Sequence, residues 1–455
     1  MTTKELKGIQ IQKFRTDKVG FIVNPKSGNG RAKKIWPGIE KKIKKLFTNY
    51  LIKKTTKAGD ARKFASDLIK EGYTTICAAG GDGTTHEVFN GIMDATHENP
   101  SLIKRTKKNR KKLPNISFAI LPIGTGCDCI RSFGVGDNKA SVDECLQAII
   151  DGMCGYIDIG KCKCIDDDGN PAIRYFFNIS SFGGSAMIAY NMNRTSKALG
   201  FISYIWASFL VGISFKMPTI FYRFVGPDSI DPKRRLDGEE QEFSYFDDED
   251  QEEDSSNSNE NSELEINNKN LEDSQEKKEE FSEFKREQVM FFNICNGSTF
   301  GAGMEVGPTA NLVDGLLDVC VVRHLDVNGV IEILYKLRTG THVSMDSVYS
   351  FRYDILLETD TSFSEDEDEN ENDIDDNNNN NNNQNSLSNK KYEFNEKQFE
   401  LDLKSISKQN IMIESEGEMS GNISATFKVK PRFLKFIIPS KSFRKSDLKE
   451  NQRKK

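Results

Sequence analysis

Four predicted strands, three of them short apolar runs, are each followed by a glycine-bearing turn and set the rhythm of the first third of the chain. They are Val19–Val23, Leu51–Thr56, Ile76–Ala79 and Ile116–Leu121. The turns that follow are Asn24-Pro25-Lys26-Ser27-Gly28-Asn29-Gly30, Gly59-Asp60-Ala61, Gly80-Gly81-Asp82-Gly83 and Pro122-Ile123-Gly124-Thr125-Gly126. After the first three turns the spacing becomes helical. A basic helix runs to about Lys45, a second carries Ala61, Phe64, Ala65 and Leu68, and a third is opened by Thr84 or Thr85 and continues to about Ala95. Strands that alternate with helices predict a parallel α/β sheet with its ligand at the carboxyl ends of the strands.

From about residue 154 the pattern shortens and alternates, with predicted strands at Tyr156–Lys161, Tyr175–Ile179, Val289–Cys295, Leu317–Val322, Ile411–Ile413 and Ser424–Val429. That predicts a mostly antiparallel second domain. The 18 residues Ala198–Phe215 carry no charge and have nearly the length of a membrane span. Gly200, Ser203, Ser208, Gly212 and Ser214 dilute them, so the stretch reads as an amphipathic or core helix beside a lipid site. Residues 237–288 are acidic and rich in Ser and Asn, and 359–397 include seven consecutive Asn. Neither has the apolar content to offset ordering entropy, so both are expected to be disordered insertions. The expected organisation is an α/β domain over 16–152, a β-rich domain over 153–440 interrupted by the insertions, and a basic tail over 441–455.

Charge changes the picture once it is divided by region. Residues 237–284 carry 20 Asp/Glu against three Lys, and 360–389 carry ten Asp/Glu with no Lys or Arg. Taking their −27 from the formal −6 leaves +21 on the rest. A basic body suits phosphates or anionic lipid headgroups. Lys104 to Lys112 packs seven positive charges into nine residues, which reads as a solvated loop or as a contact with an anionic membrane. It lacks the interleaved aromatics of a nucleic-acid surface, and no nucleic-acid partner is expected. The nine Cys and four His fall in no zinc-ligand spacing, and Met1–Lys18 lacks the apolar run of a signal peptide. The expected setting is cytoplasmic with reduced thiols.

The chemistry concentrates at the glycine turns. Strand, glycine turn and helix N-terminus let backbone N–H groups approach a phosphate, because glycine leaves no Cβ in the way. The same glycines also suit a tight turn with no ligand. Asp82 inside the turn separates the two readings: a carboxylate repels bare phosphate unless a divalent cation or ordered water stands between them, which points to a metal–nucleotide complex.

These motifs together resemble the diacylglycerol kinase catalytic family, which also includes sphingosine and ceramide kinases. The resemblance rests on Asn24-Pro25-x-Ser27-Gly28, Gly80-Gly81-Asp82-Gly83-Thr84 with Glu87 and Asn90-Gly91, and Leu121-Pro122-x-Gly124-Thr125 with Asp128. It continues through Phe177-Asn178, Ser181-Phe182-Gly183, Asn296-Gly297, Phe300–Met304 and Asp314-Gly315-x-Leu317-Asp318-Val319. It implies ATP-dependent phosphorylation of a lipid hydroxyl, most simply diacylglycerol to phosphatidic acid, with a sphingoid base or ceramide as the alternative acceptor. ATP would lie between the α/β domain and a β-sandwich domain. Carried over residue by residue, nucleotide contacts fall on Asn24, Pro25, Lys26, Ser27, Gly28, Thr55, Gly81, Asp82, Gly83, Thr84, Thr85, His86, Glu87 and Thr125. Within that set His86 reads as a helix-face residue rather than an acid or base.

The resemblance also implies a structural Mg²⁺ at Asn311, Asp314 and the Leu316 carbonyl, and a general base in a late Asp-Gly-Glu. Here Glu416-Gly417-Glu418 occupies that place, making Glu418 the base and Asp82 its catalytic partner. By itself Glu418 reads as a solvated turn acid, and Asp314 as the start of a tight turn. Two positions depart from the pattern: Cys127 replaces an amide side chain, and Glu416 replaces Asp. Outside this reading stand a soluble-substrate kinase like NAD kinase and a non-catalytic lipid-binding scaffold. Expected partners are a lipid substrate and an anionic membrane touched peripherally, with a homodimer left open.

Overall fold

The computed structural model describes residues 12–14, 18–99, 102–105, 112–132, 142–194, 217–225, 285–301, 303–357 and 411–439. The apolar stretch 198–215, most of the basic run, the tail and nearly all of both insertions lie outside them. The exception is Lys285–Gln288, which is a strand.

The first half is an α/β layer. β1 (Val19–Val23), β2 (Tyr50–Lys54), β3 (Thr75–Gly80) and β4 (Ser117–Pro122) are all parallel, in the order β4-β3-β1-β2. β1, β3 and β4 are buried along their whole length, which is why each reads as an uninterrupted apolar run. Helices α1 (Arg31–Leu46), α2 (Asp60–Lys70) and α3 (Asp82–Glu98) connect them. On α1, Ala32, Trp36, Ile39 and Ile43 recur at helical spacing and are buried, while its basic residues stay outside. A one-turn helix, α4 (Asp128–Arg131), and then α5 (Val142–Asp151) follow β4.

The second half is antiparallel. β5 (Met153–Ile165) and β6 (Pro171–Phe176) form a hairpin, followed by β7 (Ile179–Gly183) and α6 (Gly184–Arg194). Then come β8 (Thr219–Val225), β9 (Lys285–Gln288), β10 (Phe291–Cys295), β11 (Leu317–Val322), α7 (Val327–Lys336), β12 (Val348–Leu357), β13 (Met412–Ser415) and β14 (Glu418–Ile437). The order β14-β13-β7-β10-β11-β12 returns to β14 through an Ile355–Phe427 pairing, so the sheet closes on itself as a sandwich. Phe176, Phe182, Phe292, Val319 and Phe427 fill its interior.

β14 ties the halves together. Twenty residues at about 3.3 Å each give a strand of at most about 66 Å. It starts at the β13 hairpin, pairs with β5 through most of its length, and ends parallel to β4 with Lys435 opposite Ser117. Phe89, Phe118, Phe177 and Phe436 meet edge-on or tilted at the junction, with centroids 5.1–6.2 Å apart. Such contacts add about 0.5–1.5 kcal/mol each beyond the area they bury.

A third apolar cluster lies between the outer face of the sandwich and α7. It surrounds a cavity of about 50 Å³, walled mainly by Met304, Val306, Val322, Leu325, Val330 and Ile333, with Ser185, Asn293 and His342 as polar members.

Candidate functional site

The glycine turns after β1, β3 and β4 meet at one end of the parallel sheet. Gly124 lies so close to Gly81 that a Cβ on it would collide with the Gly81 backbone, so this contact excludes any side chain. Asn24 Nδ2 donates to Thr84 Oγ1 at 3.0 Å, fastening the first turn to the first turn of α3. Within the first turn, the Lys26 N–H donates to Asn24 Oδ1 at 2.9 Å and the Ser27 N–H to the Asn24 carbonyl at 3.1 Å. The Pro25 carbonyl accepts from the Lys33 N–H, and the Gly28 carbonyl from that of Arg31, tying the turn to α1. Lys26 Nζ reaches the Thr56 carbonyl at 3.2 Å, and the Thr55 N–H donates to the Val23 carbonyl. The turn, β2 and α3 therefore form one cradle, with the exposed Thr125 at its rim.

α3 opens toward this cradle. Its cap residue is Gly81, which offers no side chain to the first-turn N–H groups, and an anion is favoured at such an end by the helix dipole. Thr85 Oγ1 returns to the Gly81 carbonyl at 3.0 Å. Asp82 is held by backbone: Oδ2 accepts from the Cys127 N–H at 2.8 Å and Oδ1 from the Cys129 N–H at 3.2 Å. Cys127 supplies its N–H from a left-handed conformation (φ 55°), and its thiol is buried. What Asp82 uses from this turn is backbone, so replacing an amide side chain by Cys leaves that anchor intact.

Glu418 arrives from the other half. β13 and β14 form a hairpin whose two turn residues, Glu416 and Gly417, both have positive φ, the geometry of a two-residue turn matched to strand twist. The hairpin delivers Glu418 onto Gly83, where any Cβ would strike its Oε1. The two predicted catalytic carboxylates thus converge on the first turn of α3, one from each half of the molecule.

Glu416 and Glu87 anchor the surroundings. Glu416 Oε1 accepts from the Phe177 and Asn178 N–H groups at 2.8 Å each, and Oε2 pairs with His86 Nδ1 at 3.0 Å. His86 is buried on the face of α3 that meets the hairpin. Glu87 turns to α2, its carboxylate accepting from the Gly59 and Ala61 N–H groups at 3.0 and 3.1 Å. Asn178 Oδ1 accepts from Ser132 Oγ and its Nδ2 donates to the Thr299 carbonyl, both at 2.7 Å. Asn296 Nδ2 reaches the carbonyls of Asp158 and Phe177. These asparagines are fasteners, and their signal in the sequence was the pair of motifs Phe177-Asn178 and Asn296-Gly297.

The Asn311–Leu316 loop lies beside β5, β12 and β14. Asp314 Oδ1 accepts from the Leu316 N–H at 3.1 Å, Oδ2 lies 3.9 Å from Arg352 Nη1, and Asn311 is half-buried. Beneath it Asp158 is fully buried, accepting from the Gly315 and Arg432 N–H groups at 2.6 Å each. Burial pushes its carboxyl up to about 7. The predicted donors are all oxygen, which suits a hard divalent cation, while the Arg352 guanidinium stands close to the same carboxylate. Sequence reasoning did not find Asp158, Arg352, Ser132 or Glu414. Lone residues in alternating strands, or at the end of a one-turn helix in the case of Ser132, carry no motif.

In the cavity wall, His342 Nε2 lies 3.1 Å from the Val306 carbonyl, and burial lowers its pKa to about 4, so the ring is neutral. No helix among the described residues is long and apolar enough to cross a membrane.

Residues 18–162 match the diacylglycerol kinase catalytic domain family, and 276–369 match the YegS C-terminal NAD kinase beta sandwich-like domain. Among curated proteins, a diacylglycerol kinase of Staphylococcus saprophyticus is 29% identical over 179 residues, covering 39% of this chain and 49% of its own length. One from Staphylococcus aureus (strain bovine RF122 / ET3-1) is 30% identical over 179 residues, 39% and 48% of the respective chains. The chain thus spans about half the length of the curated relatives it matches. A solved structure of a candidate diacylglycerol kinase from Bacillus anthracis str. Sterne superposes with a TM-score of 0.54 at 16% identity, covering 95% of this chain and 98% of the other. A second from the same source gives 0.52 at 15%, covering 95% and 100%. Both report a shared fold.

Proposed function

We propose, for a chain that belongs to the diacylglycerol kinase catalytic domain family through residues 18–162, that it phosphorylates a lipid hydroxyl using Mg·ATP, with diacylglycerol as the acceptor. The observation that carries this reading is the convergence of Asp82 and Glu418 on the first turn of α3, beside glycine turns that leave room for a phosphate chain. When bound, Mg·ATP supplies the phosphoryl group. The turn Asn24–Gly28, Thr55, Thr125 and the opening residues of α3 bind and align the nucleotide, with the helix dipole favouring its phosphates. Asp82, fixed by two amides, would face the nucleotide's cation, and Glu418 would take the proton from the acceptor hydroxyl as the hydroxyl oxygen bonds to the γ-phosphorus and the γ-phosphorus–oxygen bond to ADP breaks, ADP leaving. Asn311, Asp314 and the Leu316 carbonyl would hold the structural Mg²⁺.

The apolar lining of the small cavity beside α7 suits a short segment of an acyl chain. Its wall reaches the site through β10: Asn293 sits opposite Ser181, which donates to Glu414, which in turn accepts from the Gly417 N–H next to Glu418. The outer face of α7 leaves Val327, Ile331 and Tyr335 exposed at successive turns, a surface that supports peripheral contact with an anionic membrane.

The test is phosphate transfer from Mg·ATP to diacylglycerol, a sphingoid base, ceramide and NAD, with wild type and Glu418→Gln side by side. Transfer to diacylglycerol that Glu418→Gln abolishes is expected. Transfer to NAD alone, or ATP binding without transfer to any lipid, moves the reading to a soluble acceptor, and vesicle binding without transfer leaves a lipid-binding scaffold.

A further inference from the structure

Glu414 stands two residues before the hairpin turn and is fully buried. Its Oε1 accepts from Ser181 Oγ, and its Oε2 accepts from the Gly417 N–H at 2.7 Å. Ser181 lies opposite Asn293 in the β7–β10 ladder, and Asn293 lines the cavity. The carboxylate therefore sits between the apolar cavity and the peptide immediately preceding Glu418. An apolar side chain would fill this place at less desolvation cost. What a carboxylate adds is two lone-pair sites, aimed at one strand and at the turn.

We infer that Glu414 is a positioning residue for Glu418: by holding the Gly417 N–H it fixes the Gly417–Glu418 peptide, and its ionised form, which accepts from both donors, holds that peptide more firmly than its protonated form. An ionised acceptor makes the stronger bond to an N–H, whereas a protonated carboxyl turns one oxygen into a donor. The inference rests on the reading of Glu418 as base. The groups facing Glu414 are Ser181 of β7, with Asn293 beyond it on β10, Cys295 of β10, His86 of α3, and Glu416 and the Gly417 amide of its own hairpin. Burial, and after it the charge of Glu416, raise its pKa to about 7, against the pull of Ser181, the Gly417 amide and His86. The firmly held state thus belongs to the alkaline side of neutrality.

Two measurements on the full-length chain test this. The first is kcat for lipid phosphorylation over roughly pH 5.5–9 in wild type, Glu414→Gln and Ser181→Ala. Wild type is expected to lose kcat on the acid side with a midpoint near neutrality. Glu414→Gln should lower kcat about tenfold on the alkaline side, leave KM for ATP and lipid within about twofold, and move the acid limb. Ser181→Ala keeps the Gly417 bond and should shift the midpoint with a smaller loss. Wild-type kcat and an unmoved limb in both variants overturn the inference.

The second measurement needs no turnover. In ¹⁵N-glycine-labelled protein the Gly417 amide, assigned by its loss in Gly417→Asn, should titrate near neutrality in wild type and not in Glu414→Gln. An amide that does not titrate overturns the inference. If wild type transfers phosphate to no lipid, the kinase reading fails, and this titration still decides whether Glu414 governs the turn.

Discussion

Two acidic constellations share one sheet and are held by different means. At the glycine turns, Asp82 and Glu87 each accept from two backbone N–H groups, and Glu416 accepts from two more while pairing with His86. At the Asp-Gly loop, Asp318 receives Arg352 Nε at 2.9 Å, Asp314 accepts from one amide and lies 3.9 Å from the same guanidinium, and Asp158 alone accepts from two amides. Backbone donors fix where a carboxylate points without cancelling its charge. A guanidinium fixes it and neutralises it. The first arrangement leaves negative charge available to a cation and a proton, and the second suits a loop whose task is to stay in place.

The difference can be broken from either end. The largest effect expected is at the glycine turns. Glu418→Gln should lower kcat about a hundredfold or more with ATP affinity nearly unchanged, because only the proton acceptor is lost; equal losses in ATP binding would instead mark Glu418 as a structural acid. Next comes the loop. Arg352→Met strips Asp318, whose side chain is only 4% exposed, of its cation. Because Arg352 itself is partly exposed, about 2 kcal/mol is expected in urea unfolding rather than the 3–5 of a fully buried pair.

A further effect lies in the pH dependence of stability. The folded-state pKa of Asp158 is raised to about 7, above the ordinary value of 3.8, so the folded state holds the proton more tightly. The stability this contributes is fully present below the unfolded pKa and is lost as pH rises toward 7. Asp158→Asn should flatten that part of the stability profile, and an unchanged slope would assign it elsewhere, Glu414 being the other carboxyl raised in the same direction. The smallest effect sharpens the amide side of the comparison. Glu87→Ala frees two N–H groups at the start of α2 and should cost about 1 kcal/mol, the scale of a lost helix cap, with little change in kcat.

In the parallel half β1, β3 and β4 were legible because they are buried on both faces and end in glycine turns, so each announces itself as an apolar run with punctuation. Leu317–Val322 in the other half was legible for the same reason, being buried throughout. β8 and β12 were not. They carry charged residues at Arg223, Arg352 and Asp354. The last strand was read as Ser424–Val429 and is three times as long. Pro431 argues against a continuing strand, and the fold accommodates it with a register shift between Lys430 and Leu434 where Arg432 takes a positive φ. At the site, the residue types were legible but not their partners. No spacing in the sequence says that His86 meets Glu416 across 330 positions, or that Glu87 serves the neighbouring helix.

The path of β14 also bears on how the molecule is made. Its final residues complete the sheet against β4, and Phe436 closes the aromatic junction on Phe118. Both partners leave the ribosome some three hundred residues earlier. The α/β half therefore waits, one strand short, until the C-terminal part of the chain emerges, although domains generally fold as units in order of synthesis. A nascent chain released before this strand would expose the flank of β4 as an unpaired edge, and with it a site for pairing with other chains.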